Sequence, residues 1–235
     1  MHMIYFSEIF DRAFNLFADP DIERKYFNDR AGFQKDMLDF LIIGKNKFVS
    51  PVAITERLVQ MDASEGKYEE DSGDGSDEYV LESEIPHSGE GVGFTFFINK
   101  EKVHGVYIPE NNSVKFDRDI NEDETWGVCW FYAGAFTADF SKCFRKDYSM
   151  QAIMDKIINI LAYGLLSAWG DKEVGRVLEV RNILTDHDFE MYSPANSARA
   201  KVEWRNQMNR DMDTLISELN WMILSTPRGG SRFGK

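Results

Sequence analysis

Residues 93–116 read GFTFFINKEKVHGVYIPENNSVKF, and the period of that stretch decides the kind of fold the chain adopts. Phe94, Phe96 and Ile98 fall at every second position, and Val103 to Ile108 and Ser113 to Phe116 are short runs rich in β-branched and aromatic residues. Asn99 to Lys102 and Pro109-Glu110-Asn111-Asn112 separate them with turn formers, the pattern of antiparallel strands joined by tight connections. Tyr79 to Ile85 upstream and Thr125 to Phe140 downstream continue the pattern, with Trp126, Trp130, Tyr132 and Phe136 as candidate inward residues. Residues 79–148 therefore predict an antiparallel β module.

On both sides of the module the period changes to that of a helix. Ile4, Phe6, Ile9, Phe10, Ala13, Phe14 and Phe17 recur at spacings of three and four, which lays an apolar stripe on one helix face. Asp19-Pro20-Asp21 breaks that helix and caps a second over Ile22 to Ile43, for which Gly44 is a plausible stop. Ser50-Pro51 is another break, and Val52 to Val59 predicts a short third helix. Downstream, Ile153, Ile157, Leu161, Leu165 and Trp169 mark the strongest stripe in the chain, with Ser149 as its N-cap and Gly170 as its end. A further helix is expected over Val174 to Leu184, a turn-rich connector over Asp186 to Tyr192, and a long final helix opened by Ser193-Pro194. The fold class that results is α+β. A helical domain is built from both chain ends, residues 1–61 and 149–225, and the antiparallel β module is inserted between them.

Composition agrees with a folded chain. Its 235 residues include 18 Phe, 9 Tyr and 5 Trp, far too many buried-type side chains for a disordered protein. A net charge of -13 argues against a surface that wraps nucleic acid, because counterion release needs clustered Lys and Arg. That charge is unevenly spread. From Asp62 to Glu90 there are eleven acids and one base, Lys67, so residues 62–78 predict a solvated acidic loop. The last ten residues, TPRGGSRFGK at 226–235, are a Gly-rich basic tail with no periodicity. Cys129 and Cys143 form no CxxC unit and no disulfide framework, so a reducing compartment is expected. Acids among the apolar residues of 1–17 leave no signal-peptide core, and Asp155, Lys156 and Asn159 make a membrane span over 150–169 costly. A soluble chain without membrane contact is the expectation.

No catalytic constellation emerges from spacing. His2, His87, His104 and His187 share no HExxH spacing, there is no GxSxG elbow, and Gly44-Lys45 lacks the rest of a phosphate loop. Gly89-Glu90-Gly91-Val92-Gly93 precedes a strand and carries an acid, which suits a flexible turn better than a pyrophosphate site. The acids of 70–78 cluster around glycines, yet position twelve counted from Glu70 is Leu81 and not the bidentate glutamate of an EF-hand. His104 reads as a cross-strand residue, and the Phe94/Phe96/Phe97 and Trp126/Trp130/Tyr132 groups read as module core. No catalytic residue, cofactor or metal is expected.

Asp19-Pro20-Asp21-Ile22 with Tyr26, then FQKDMLDFL at 33–41 leading into Phe48-Val49-Ser50-Pro51, resembles the start of the head-to-tail connector proteins of tailed bacteriophages. These are also called adaptor, neck or head-completion proteins. IINILAYGLLSAW at 157–169 and the string Asp186-His187-Asp188-Phe189-Glu190-Met191-Tyr192-Ser193-Pro194-Ala195-Asn196 are similar to the family's second half. The resemblance covers residues 1–60 and 149–224, and the β module and acidic loop look like an insertion. It implies a non-enzymatic virion protein of the neck, assembled in the host cytoplasm as a homo-oligomeric ring, expected in twelve copies. Its partners would be the portal protein and other neck or tail proteins, and DNA would pass through the lumen without specific binding. Asp188, Phe189, Tyr192 and Asn196 would shape the turn before the final helix. Arg228, Arg232, Phe233 and Lys235 would let the tail dock on a neighbour by strand addition or in a groove. Two other expectations remain open: a stopper or tail-terminator ring, and a ligand-binding or hydrolytic protein with a pocket in the module lined by carboxylates or exposed Trp126 and Trp130.

Overall fold

The computed structural model describes residues 2–16, 20–140, 143–144, 148–185 and 194–223, with the backbone alone at 20–21, 138, 177–185 and 194–198. Six α-helices are described: α1 (Phe6–Phe14), α2 (Pro20–Asn28), α3 (Arg30–Lys45), α4 (Val52–Thr55), α5 (Met150–Thr185) and α6 (Pro194–Met222). The strands are β1 (His2–Tyr5), β2 (Val59–Gln60), β3 (Ser64–Glu65), β4 (Glu69–Ser72), β5 (Glu78–Val80), β6 (Val92–Ile98), β7 (Glu101–Val103), β8 (Gly105–Ile108), β9 (Ser113–Phe116), β10 (Thr125–Tyr132) and β11 (Ala135–Ala138). All pairings among them are antiparallel, so the architecture is α+β.

The helical core is built on α5. Ile153, Ile157, Leu161 and Leu165 repeat every fourth residue and are buried together with Phe6 and Phe10 of α1, Phe33 and Leu41 of α3, and Leu219 of α6. Residues Met150–Arg176 are long and apolar enough to cross a membrane, but 67% of the apolar window is buried inside the fold, as in a core helix. At 1.5 Å per residue α5 and α6 run about 54 and 44 Å. Ser149 caps α5, its hydroxyl accepting the Ala152 N–H at 3.2 Å.

Several elements depart from the sequence reading, each because of a tertiary partner. The N-terminal stripe begins in a strand, since His2–Tyr5 pairs with Ala135–Ala138 before Phe6 opens α1 and donates to the Gly134 carbonyl at 3.0 Å. The helix expected over Ile22 to Ile43 is two, divided at Asp29, whose carboxylate caps α3 through the Gly32 N–H at 3.0 Å. Gly44 and Gly170 do not end helices. A Cβ at Gly44 would lie 2.3 Å from the Gly164 carbonyl carbon, and one at Gly170 would lie 3.0 Å from the Arg205 side chain. Both glycines allow close helix crossings inside α3 and α5.

The largest change concerns the acids. The predicted loop 62–78 contributes β3 and β4, which pair with Phe131–Tyr132 and Thr125–Val128 of β10. Gly73 and Gly75 donate backbone bonds to Glu124 and Ile120, tying the segment down. The central sheet runs β3-β10-β6-β7 with β4 beside β3 on β10, and a second sheet runs β5-β9-β8. A third, β1-β11-β2, joins the module to the helices. The module supplies two layers of a three-layer stack, the central sheet and the β5-β9-β8 sheet, with the helices as the third. One face of β6 and β10 packs on α3, with the Ala31 N–H donating to Thr95 Oγ1 at 3.2 Å. The other face meets the β5-β9-β8 sheet around a second core of Tyr79, Phe96, Val114, Phe116, Ile120 and Val128.

Candidate functional site

Alternation along β10 aims Trp126, Val128, Trp130 and Tyr132 at that second core. Trp126 is 5% exposed and stacks on Tyr79 with ring centroids 4.8 Å apart, so these indoles fill the module and do not form an exposed platform. Their burial takes polar atoms with it. Trp126 Nε1, Trp130 Nε1 and Tyr132 Oη are buried with no hydrogen-bond partner among the described residues.

Cross-strand register places charge on the same face. Trp126 opposes Asp71 and Val128 opposes Glu69, so both acids share the side of the sheet that Trp126 occupies. Val80 to Ser83, leaving β5, forms a facing wall. Glu69 holds it by accepting the Glu82 and Ser83 N–H groups at 3.0 and 2.9 Å. The result is an open trough of about 550 Å³, walled by Glu69, Glu70, Asp71 and Glu82, with one base, Lys67, and with Trp126 in its lining. None of these acids has a basic partner among the described residues, and Val80 beside them is 70% exposed. Sequence reasoning missed this site because its signal is the pairing of 69–72 with 125–128, which charge patterning does not reveal.

At the opposite end of β10 lies a strained loop. His87 and Ser88 have φ of 52°, and Gly89 and Gly91 follow at 84° and 75°. Left-handed backbone at His87 and Ser88 turns the His87 ring onto Tyr132, with centroids 4.9 Å apart. Tyr5 donates to Glu90 at 2.8 Å, and burial together with that carboxylate pushes its phenol up to about 12. Asp29 is pulled the other way. Burial raises its carboxyl, but bonds from Lys102, Thr95 and Gly32 outweigh this and hold it below the ordinary range.

A second surface is apolar. Ile42, Ile43, Val49 and Val52 stand exposed along the end of α3 and the start of α4, and Trp221 near the end of α6 is 74% exposed.

Of the residues singled out in the sequence, Asp188, Phe189, Tyr192 and the tail residues Arg228, Arg232, Phe233 and Lys235 lie outside the described residues. Asn196 falls in the first turn of α6, where the backbone alone is described, and α6 opens at Pro194 as its sequence indicates. His104 makes an exposed pair with Asp117 at 3.1 Å. Asp74 closes a local turn by accepting from the Ser76 N–H and hydroxyl at 3.0 and 2.6 Å. Among the described residues no group of three His, Cys, Asp or Glu converges to hold a metal ion. No family model matches the chain, and no curated protein or solved structure matches it.

Proposed function

We propose that the chain is a structural protein of a tailed-bacteriophage virion, a head-to-tail adaptor that forms a ring between the capsid portal and the tail. The observation that carries this reading is the apolar surface of the helical body. Ile42, Ile43, Val49, Val52 and Trp221 expose large side chains at two places on one chain. Contacts of a patch on one copy with a different patch on the next are heterologous, the kind that forms a ring when the rotation between copies closes. Two further features support it: the paired length of α5 and α6, and the residue strings at 19–51 and 157–196 that resemble the connector family. The carboxylate surplus suits a surface past which DNA moves without sticking.

The test is size-exclusion chromatography with light scattering of the full chain, alone and mixed with a portal ring. Co-elution at the mass of portal plus a ring of this chain is the expected result. A chain that stays monomeric and separate from portal overturns the reading. Contact with the tail tube in a cross-linking map, without contact to portal, would instead place it as a stopper or tail-terminator ring.

A further inference from the structure

We propose that the cleft between the α2–α3 junction and strands β6 and β8 is a binding site for a small aromatic acid, a planar ring that carries an anionic group. The cleft encloses about 400 Å³, a volume suited to a small ligand. Its sheet wall follows from register. Phe96 opposes Val103, and Val92 and Phe94 fall at alternate positions before Phe96, so all four side chains share one face. Tyr107 of β8 stacks on Phe94 with ring centroids 4.7 Å apart and planes 17° apart, which gives this wall a flat aromatic surface. The helical wall is Tyr26 and Phe27 of α2. Phe27 meets the Tyr26 ring edge-on at 5.2 Å and remains 63% exposed. Beside these walls the edge of β6 is uncovered: β10 flanks Val92 to Ile98, but β7 pairs only with Phe96 to Ile98, so among the described residues no strand lies along 92–95 on the side away from β10. Asp29 fixes the walls relative to each other. From the junction of α2 and α3 it accepts from Thr95 of β6 at 2.9 Å and from Lys102 of β7.

The polar part of the lining selects the charge of the ligand. Arg30 holds its guanidinium carbon 3.9 Å from the Tyr26 ring centroid, and Asn28 and His104 complete the polar groups. Among the described residues no acid lines this cleft, whereas four other clefts on the surface each include Asp or Glu, in a chain of net charge -13. Arg30 and His104 pair with Asp11 and Asp117, both outside the lining. A guanidinium has five N–H donors, so one bond to Asp11 leaves others for a ligand. A quaternary ammonium suits aromatic walls but meets a guanidinium and no carboxylate here. A wholly apolar molecule would cover the guanidinium donors and offer them no acceptor. A flat ring bearing a carboxylate, sulfonate or phosphate answers both parts of the lining, stacking on the aromatic walls and accepting from Arg30.

The proposal does not depend on the portal reading, because the cleft uses none of the exposed side chains at Ile42 to Val52 or Trp221. The experiment titrates the full chain with anilinonaphthalene sulfonate and, separately, with its uncharged counterpart phenylnaphthylamine, and reads the dye fluorescence. The tightest site is expected to saturate at one sulfonate dye per chain, with an affinity several-fold above that of the uncharged dye. F27A should lower the sulfonate affinity several-fold, and R30Q should remove the preference for the sulfonate. Phe27 is mostly exposed, so F27A keeps the fold, which circular dichroism checks, and it tests the site even where R30Q disturbs the pair with Asp11. Equal affinity for the two dyes, or a sulfonate affinity unchanged in F27A, overturns the proposal.

Discussion

Single residues in this fold act through what they meet across the chain. Glu124 receives both guanidinium nitrogens of Arg118, at 2.6 and 2.7 Å, and then the Asn121 N–H, which together hold its carboxyl down to about 2. A depressed carboxyl contributes stability that is present above its unfolded value near 4.5 and is lost as pH falls through about 2. The wild-type melting temperature should therefore exceed that of E124Q at pH 6, with the gap closing by about pH 2 in thermal melts followed by circular dichroism. Gly44 acts by lacking a side chain. Its Cα faces the Gly164 backbone across the α3–α5 crossing, so a Cβ must push two buried helices apart. G44A should cost about 1–3 kcal/mol in urea denaturation, the range for overpacking a filled core. His104 shows the opposite case: its pair with Asp117 is fully at the surface, where such pairs contribute little.

At the scale of elements, the local signals that survive are those whose partner is nearby in sequence. Ser149 caps α5 through Ala152, three residues on, so the sequence alone carries this signal. S149A should destabilise the chain by about 1 kcal/mol in the same denaturation assay. Strands β6, β8 and β9 are equally legible, because alternation and turn formers are properties of short windows. Where the partner is remote the local signal misleads. Glu65 to Asp77 is almost devoid of apolar residues and reads as solvated, yet two strands form in and beside it because β10 offers an open edge some sixty residues later. Glycines at 44 and 170 look like helix stops, and only the neighbouring helices show them to be contact points. The trough belongs to the same class. Glu69, Asp71 and Trp126 are plain in the sequence, but their sharing of one face rests on the register Trp126–Asp71.

For the whole molecule the stack of helices, central sheet and outer sheet sets which surfaces remain for partners. The helical body leaves the Ile42–Val52 patch and Trp221, and the module leaves the acidic trough beside Val80. Deleting 226–235 should leave the melting temperature unchanged, since among the described residues both hydrophobic cores are complete without it, while the proposed ring predicts a lower assembled mass by light scattering. Association of the intact chain should weaken on the order of several-fold between about 0.05 and 0.5 M salt, as expected of exposed opposite charges. By itself the sequence determined the α+β class, the alternation of helix and strand periods, the cap of α5 and the separation of an acidic stretch from a basic tail. Periodicity and charge are local, so one chain suffices to read them. Tertiary structure alone decided that the N-terminus starts as a strand, that the acids pair into the central sheet, and that Asp71 comes to lie opposite Trp126. Those outcomes depend on which distant segment supplies the missing hydrogen bonds, and that choice is made only when the layers pack.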